Sequence, residues 1–204
     1  MRCINNWISK YVILLVILSI NHKHGISQET DPFKDKYLIV LDVQQQFCDK
    51  SKMDSLSLEI IPTINSVIES FPQERVIYVK AIGKVINISF KGISVDTVQA
   101  PEFAKGLQIV NTNIITKIED DAFKSSELIH YLENNNAREI VLIGLMAEEC
   151  ISETALGGLK GGYIIKIVPE AIISRNDKKK KRAINKLKEQ GVLLYPMSQV
   201  LGVP

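Results

Sequence analysis

The chain alternates between short continuous apolar runs and longer stretches whose apolar residues recur every third or fourth position. Residues 37–41 (YLIVL), 75–81, 107–116, 139–144, 163–168 and 192–195 are runs of the first kind. Short runs rich in Ile, Val and Leu predict strands buried on both faces. Residues 56–71 carry Leu58, Ile61, Ile64, Val67 and Ile68 at helical spacing, with Pro62 early and Pro72 as a stop. Further helices are predicted over 125–132, 150–160 and 178–192; Ser125 or Ser126 can cap the first, and Gly161 and Gly162 end the second. Residues 82–108 lose the pattern, broken by Gly83, Gly92, Pro101 and Gly106. Such a connection is either a lid or binding loop, or a peripheral hairpin of no function. Strands alternating with helices predict an α/β fold, a parallel sheet covered by helices on both faces in a three-layer α/β/α sandwich.

The first 27 residues stand apart from this alternation. Arg2 and Lys10 precede the apolar run 11–20, and polar residues lead on to Gly25, Ile26 and Ser27. That is the layout of a secretory signal peptide, with cleavage expected after Ser27 and export to a periplasm or the outside. As a helix the run spans about 15 Å, half of a roughly 30 Å hydrocarbon core, so no stable membrane span is expected after signal removal. An uncleaved anchor is the alternative. Residues 28–36 are polar, contain Pro32 and read as a tether, leaving 37–204 as a single folded domain.

A net charge of +2 over 204 residues is too near balance to indicate a nucleic-acid partner. The basic run 178–182 opens a segment in which Ala183, Ile184, Leu187 and Val192 keep helical spacing, so its charges decorate a solvent face. Without the first 27 residues, Cys48, Cys150 and His130 are the only cysteines and histidine. They are too few for a disulfide framework or a dedicated zinc site. Neither a metal nor a cofactor is expected, and the partner is a small-molecule substrate.

Three residues fit one chemistry. Cys150 stands where the 139–144 strand gives way to a helix, near the positive end of a helix dipole that lowers a thiol pKa. Taken alone it reads first as a small buried apolar residue, and Asp42 and Lys117 are what reverse that. Asp42 follows the 37–41 strand and Lys117 follows the 107–116 strand. In a parallel sheet these ends share one edge. Cys150 can then act as nucleophile, Asp42 can accept its proton, and Lys117 favours both anions. Opposite charges 4 Å apart attract by roughly 4 kcal/mol at an effective dielectric of about 20, enough to bring a thiol well below neutrality. Asp42 at a similar distance cancels much of that, and the proton is shared among the three. His130 falls within a helix, as a partly exposed residue.

The stretches LIVLDVQQQFC (38–48), TKIEDDAF (116–123) and LIGLMAEECISETALGGLKGGYIIKIVPEAI (142–172) give the chain a resemblance. It resembles the isochorismatase-like cysteine hydrolase superfamily, which includes nicotinamidases, N-carbamoylsarcosine amidohydrolases and ureidoacrylate amidohydrolases. The resemblance implies a sheet of about six strands and a catalytic triad of Asp42, Lys117 and Cys150. It also implies a cis peptide between Leu145 and Met146 and an oxyanion hole from the main-chain amides of Met146 and Cys150. Phe47, Phe123 and Ala147 are candidate pocket walls, although core packing suits the two aromatics equally. The implied reaction is hydrolysis of a small amide or ureide C–N bond through a thioester. Two alternatives remain: a secreted binding or effector protein on the same fold with little or no activity, and an ester or isochorismate-type hydrolase. Relatives are often oligomers, which makes a homo-oligomer an expectation of family.

The chain also departs from that pattern. The region after Arg75 lacks the histidines with which nicotinamidases hold a metal beside the triad. Ala147 and Glu148 stand where relatives usually carry Thr followed by Asp, Asn or His. Gly157 and Gly158 lie inside a predicted helix, each costing roughly 1 kcal/mol relative to alanine, which points to close backbone packing or a kink.

Overall fold

The computed structural model describes residues 33–48, 54–89, 92–97 and 100–202. The predicted signal peptide and most of the predicted tether lie outside the described residues. Residues from Asp35 onward form one compact unit.

Six strands make an all-parallel sheet: β1 (Lys36–Leu41), β2 (Val76–Ala81), β5 (Ile114–Lys117), β6 (Glu139–Gly144), β7 (Ile164–Ile172) and β8 (Leu193–Leu194), in the order β5-β2-β1-β6-β7-β8. Leu38, Ile39, Val40 and Leu41 are each at most 1 % exposed, so both faces of β1 are covered. Tyr37, Ile39 and Leu41 share one core with buried residues of α3 (Ser126–Asn134), α4 (Cys150–Lys160) and α5 (Asp177–Glu189). On the other face lies α2 (Asp54–Glu69), with Ile61, Ile64, Val67 and Ile68 buried at the spacing the sequence predicts. Two short helices, α1 (Gln45–Cys48) and α6 (Met197–Val200), follow β1 and β8. The irregular region carries a separate antiparallel hairpin, β3 (Lys84–Ser89) and β4 (Gly92–Thr97).

Two elements differ from expectation for local reasons. Residues 107–113 are not strand. Asn111 and Asn113 donate to the carbonyls of Gln73, Glu74 and Val76, while Tyr78 Oη joins Gln108 O and Val110 N. The Asn111 and Asn113 side chains thus claim carbonyls at and just before the start of β2, and the Tyr78 hydroxyl claims the segment's own backbone, in place of strand pairing. Conversely, β7 runs past Val168 through Pro169 to Ile172. Its pairing with β6 shifts register between Leu142 and Gly144, and such an irregularity is where a sheet tolerates proline.

From β1 the chain builds outward through β2 to β5, and from β6 outward through β7 to β8. The order reverses between β1 and β6, which makes the carboxyl ends of these two strands a topological switch point. Gly144 ends β6 at φ +117°, and a Cβ there would lie 2.1 Å from Leu41 O. Only glycine lets the two backbones come this close.

Candidate active site

Asp42 leaves β1 with its amide still bonded to Val79 O at 2.9 Å, and with φ +57° in the left-handed region that Asp tolerates better than most residues. Lys117 ends β5, two strands away, and its side chain reaches back to the switch point. Cys150 is the first residue of α4. Lys117 Nζ lies 2.9 Å from Asp42 Oδ2 and 3.3 Å from Cys150 Sγ, and also donates to Glu119 O and Asp120 O at 3.2 and 3.3 Å. Asp42 and Lys117 are 3 % and 4 % exposed, so this ion pair is held in a low-dielectric interior.

Burial pushes the Asp42 carboxyl above its usual range, against the pull of Lys117. Lys117 moves up as well: burial disfavours its charge, but Asp42 and Cys150 outweigh that. The Cys150 thiol is pushed up to about 12 by burial and then by the Asp42 charge, with Lys117 opposing. The position at a helix start therefore does not yield a low-pKa thiol, because the thiol is enclosed and shares its surroundings with a carboxylate. At neutral pH the proton rests on sulfur. Apart from Lys117 and the thiol, neither Asp42 oxygen has a hydrogen-bond partner among the described residues, so lone pairs are free to take a proton.

The turn from Gly144 to Cys150 contains a cis peptide between Leu145 and Met146. It is fixed from two sides. Leu145 N donates to Leu41 O at 2.9 Å, and Ala147 N donates to Ile173 O at 2.8 Å. Met146 O accepts from Glu149 N and Ile151 N. The amides of Met146 and Cys150 donate to no acceptor among the described residues. Ala147 is 1 % exposed and belongs to the core cluster.

Glu148 turns away to the exit of β7. Its carboxylate accepts from Ser174 Oγ at 2.6 Å and from Arg175 N at 3.2 Å, while Glu149 pairs with the Arg175 guanidinium. Burial raises the Glu148 pKa, but these donors outweigh it and hold the carboxyl below its usual range. The residue at which the chain departs from its apparent relatives thus ties the cysteine turn to β7.

The Isochorismatase domain family matches residues 36–198. The chain belongs to the isochorismatase family. Members of this family are typically hydrolases. The chain is similar to the secreted isochorismatase effector Isc1 of Verticillium dahliae, at 23% identity over 163 residues, covering 74% of this chain and 80% of that protein. Among solved structures it is similar to an isochorismatase family protein from Desulfovibrio vulgaris, with TM-score 0.67, 16% identity and coverage of 83% and 98%. A nicotinamidase/pyrazinamidase of Acinetobacter baumanii matches with TM-score 0.63 and 21% identity, over 79% of this chain and 95% of that one. At such identities the structural likeness establishes the fold.

The other residues singled out in this isochorismatase-family chain are placed as follows. Phe47 is half-buried on α1. Phe123 packs in the core, its ring 5.2 Å from that of Tyr163 and against Gly158. Neither lines the cavity of about 380 Å³ that opens beside Lys117 between Thr116, Glu119, Lys124 and Ser126. The glycines inside α4 mark close packing. A Cβ at Gly157 would meet the Asp121 carboxylate at 2.3 Å, and one at Gly158 would meet Ile165 at 2.5 Å. His130 is exposed, and Cys48 and Cys150 are not joined to each other by a disulfide. Among the described residues, no three His, Cys, Asp or Glu side chains are grouped to hold a metal, and no helix is long and apolar enough to cross a membrane.

Two residues escaped the sequence reading. Gln44, fully buried, bonds both the N–H and the C=O of Ala81 at 2.8 and 3.1 Å and thereby joins the ends of β1 and β2. Its signal was a polar residue three positions past the end of a buried strand. Asp120 brings Oδ1 to 3.7 Å from Cys150 Sγ. Nothing in the acidic run 119–121 distinguishes it from its neighbours.

Proposed function

We propose that this isochorismatase-family chain is a cysteine-dependent hydrolase that cleaves a small amide or ureide C–N bond through a thioester. The observation that carries the reading is the Lys117 ammonium, which reaches from the end of β5 to lie 2.9 Å from the Asp42 carboxylate and 3.3 Å from the Cys150 thiol. With the thiol pKa raised to about 12, transfer of its proton to Asp42 is uphill in the free protein. The transfer therefore accompanies attack of Sγ on the carbonyl carbon. The oxygen that gains charge is received by the unpartnered amides of Met146 and Cys150. Asp42 returns the proton to the leaving nitrogen as the C–N bond breaks. Water then gives a proton to Asp42 and its oxygen to the acyl carbon. The C–S bond breaks, an acid leaves, and the thiol is restored. Lys117 holds Asp42 in place throughout and favours its ionised form whenever the carboxyl has given up its proton.

A second reading, a binding or effector protein without turnover, is favoured by the word "effector" in the name of the Verticillium relative and by the altered turn at Ala147 and Glu148. A panel of amide, carbamoyl and ester compounds separates the two, with Cys150→Ala as control. The hydrolase reading expects turnover of an amide or ureide that is lost in the variant. Turnover that survives in Cys150→Ala sinks the mechanism.

A further inference from the structure

Resting on that reading, we propose that Asp120 is a charge-selecting residue of the same site, which admits neutral or cationic acyl compounds and excludes carboxylates near the scissile bond. The main chain at Asp120 is held firmly. Its carbonyl accepts from Lys117 Nζ at 3.3 Å and from Thr154 Oγ1 at 3.3 Å, and Thr154, one turn beyond Cys150 in α4, is fully buried. The next residue, Asp121, uses its side chain to accept from Phe123 N at 2.9 Å. Anchored in this way, the Asp120 carboxylate stands on the exposed side of the thiol, its Oδ1 3.7 Å from Sγ.

The charge count then becomes decisive. Asp42 contributes −1, Lys117 +1, the protonated thiol nothing and Asp120 −1, a sum of −1 around the reacting sulfur. Lys117 is already engaged by Asp42, Cys150 and two carbonyls, and its side chain is buried. A carboxylate brought to the sulfur meets the negative charge that Asp120 leaves uncompensated 3.7 Å from it. A dicarboxylate such as isochorismate is the least suited of the alternatives, whereas an amide or ureide with an ammonium or guanidinium group is matched to the site.

The test needs no known substrate, so it fails or succeeds separately from the hydrolase reading. Cys150 of the purified protein is modified with a pair of methanethiosulfonates, one bearing a trimethylammonium group and one a sulfonate, and its rate is followed by mass spectrometry. The comparison is the cation-to-anion rate ratio in the wild type against Asp120→Asn. Both reagents consume the same thiolate, so any change in thiol pKa cancels. The ratio is expected to fall by at least about fivefold in the variant, the effect of a unit charge at 4 Å near the water limit, and to return in Asp120→Glu. The fall should shrink in molar salt. A ratio within twofold of wild type in Asp120→Asn, or no recovery in Asp120→Glu, overturns the proposal and leaves the hydrolase reading intact.

Discussion

Asp42 acts on Cys150 in two opposed ways: its charge disfavours the thiolate, yet it is also the group placed to receive the thiol proton. This opposition makes Asp42→Asn informative. Without the Asp42 carboxylate, Lys117 weighs more heavily on the sulfur and the thiol pKa falls, although burial still opposes it. Alkylation of Cys150 by iodoacetamide at neutral pH should then accelerate at least about tenfold over a sluggish wild type, as a loss of one pKa unit or more requires. Turnover in the same variant should drop about 10²–10⁴-fold, the usual value of a general base. Slow labelling of both proteins would show that the carboxylate is not what holds the thiol protonated. Gly144→Ala is the second test at this scale. With a Cβ 2.1 Å from Leu41 O and φ at +117°, no side-chain rearrangement can relieve the clash. The variant should fail to accumulate as folded protein, as judged by circular dichroism and yield.

At the scale of elements, the turn between β6 and α4 is held by the exit of β7. Glu148→Ala removes the acceptor of Ser174 Oγ and Arg175 N and should cost about 1–3 kcal/mol in chemical denaturation. Glu148→Gln keeps the shape and recovers most of this. The folded pKa of Glu148 lies below its ordinary value, so its contribution is present above the unfolded carboxylate range and is lost as pH falls through the folded pKa. Below about pH 4.5 the gap in stability between wild type and Glu148→Gln should therefore narrow. A gap that is constant from pH 7 to pH 3 would show that the carboxylate charge has no part in the clamp. The helices were legible in sequence to within a few residues because their apolar spacing and stops, such as Pro72 and Gly161, are local. The error at 107–113 arose because the Tyr78 hydroxyl claims that backbone while Asn111 and Asn113 turn to carbonyls of residues 73–76, contacts that only folding makes.

For the whole molecule, the order β5-β2-β1-β6-β7-β8 explains how residues 42, 117 and 150 become neighbours. Their placement after three apolar runs made the constellation legible before any coordinates. The role of Glu148 was not, because the groups that claim it, Ser174 and Arg175, lie beyond the next strand. Export is a proposal at this scale, supported by the layout of residues 1–27 and by a fungal relative named as secreted. Expressed in a host that processes signal peptides, the protein should appear outside the cytoplasm with Gln28 as its first residue by N-terminal mass spectrometry. Full-length protein retained inside would overturn this.

By itself the sequence determined the alternation of buried strands and helices, the family, and which side chains stand at strand ends. Those follow from local periodicity and the two-sided burial of parallel strands. Only the tertiary structure decided the electrostatics. A helix start argues for an acidic thiol, but the folded site encloses that thiol beside Asp42 and raises its pKa to about 12. It also sets Asp120 against the sulfur and turns Glu148 away from it. Desolvation and charge proximity depend on groups far apart in the chain, and they exist only once the chain has folded.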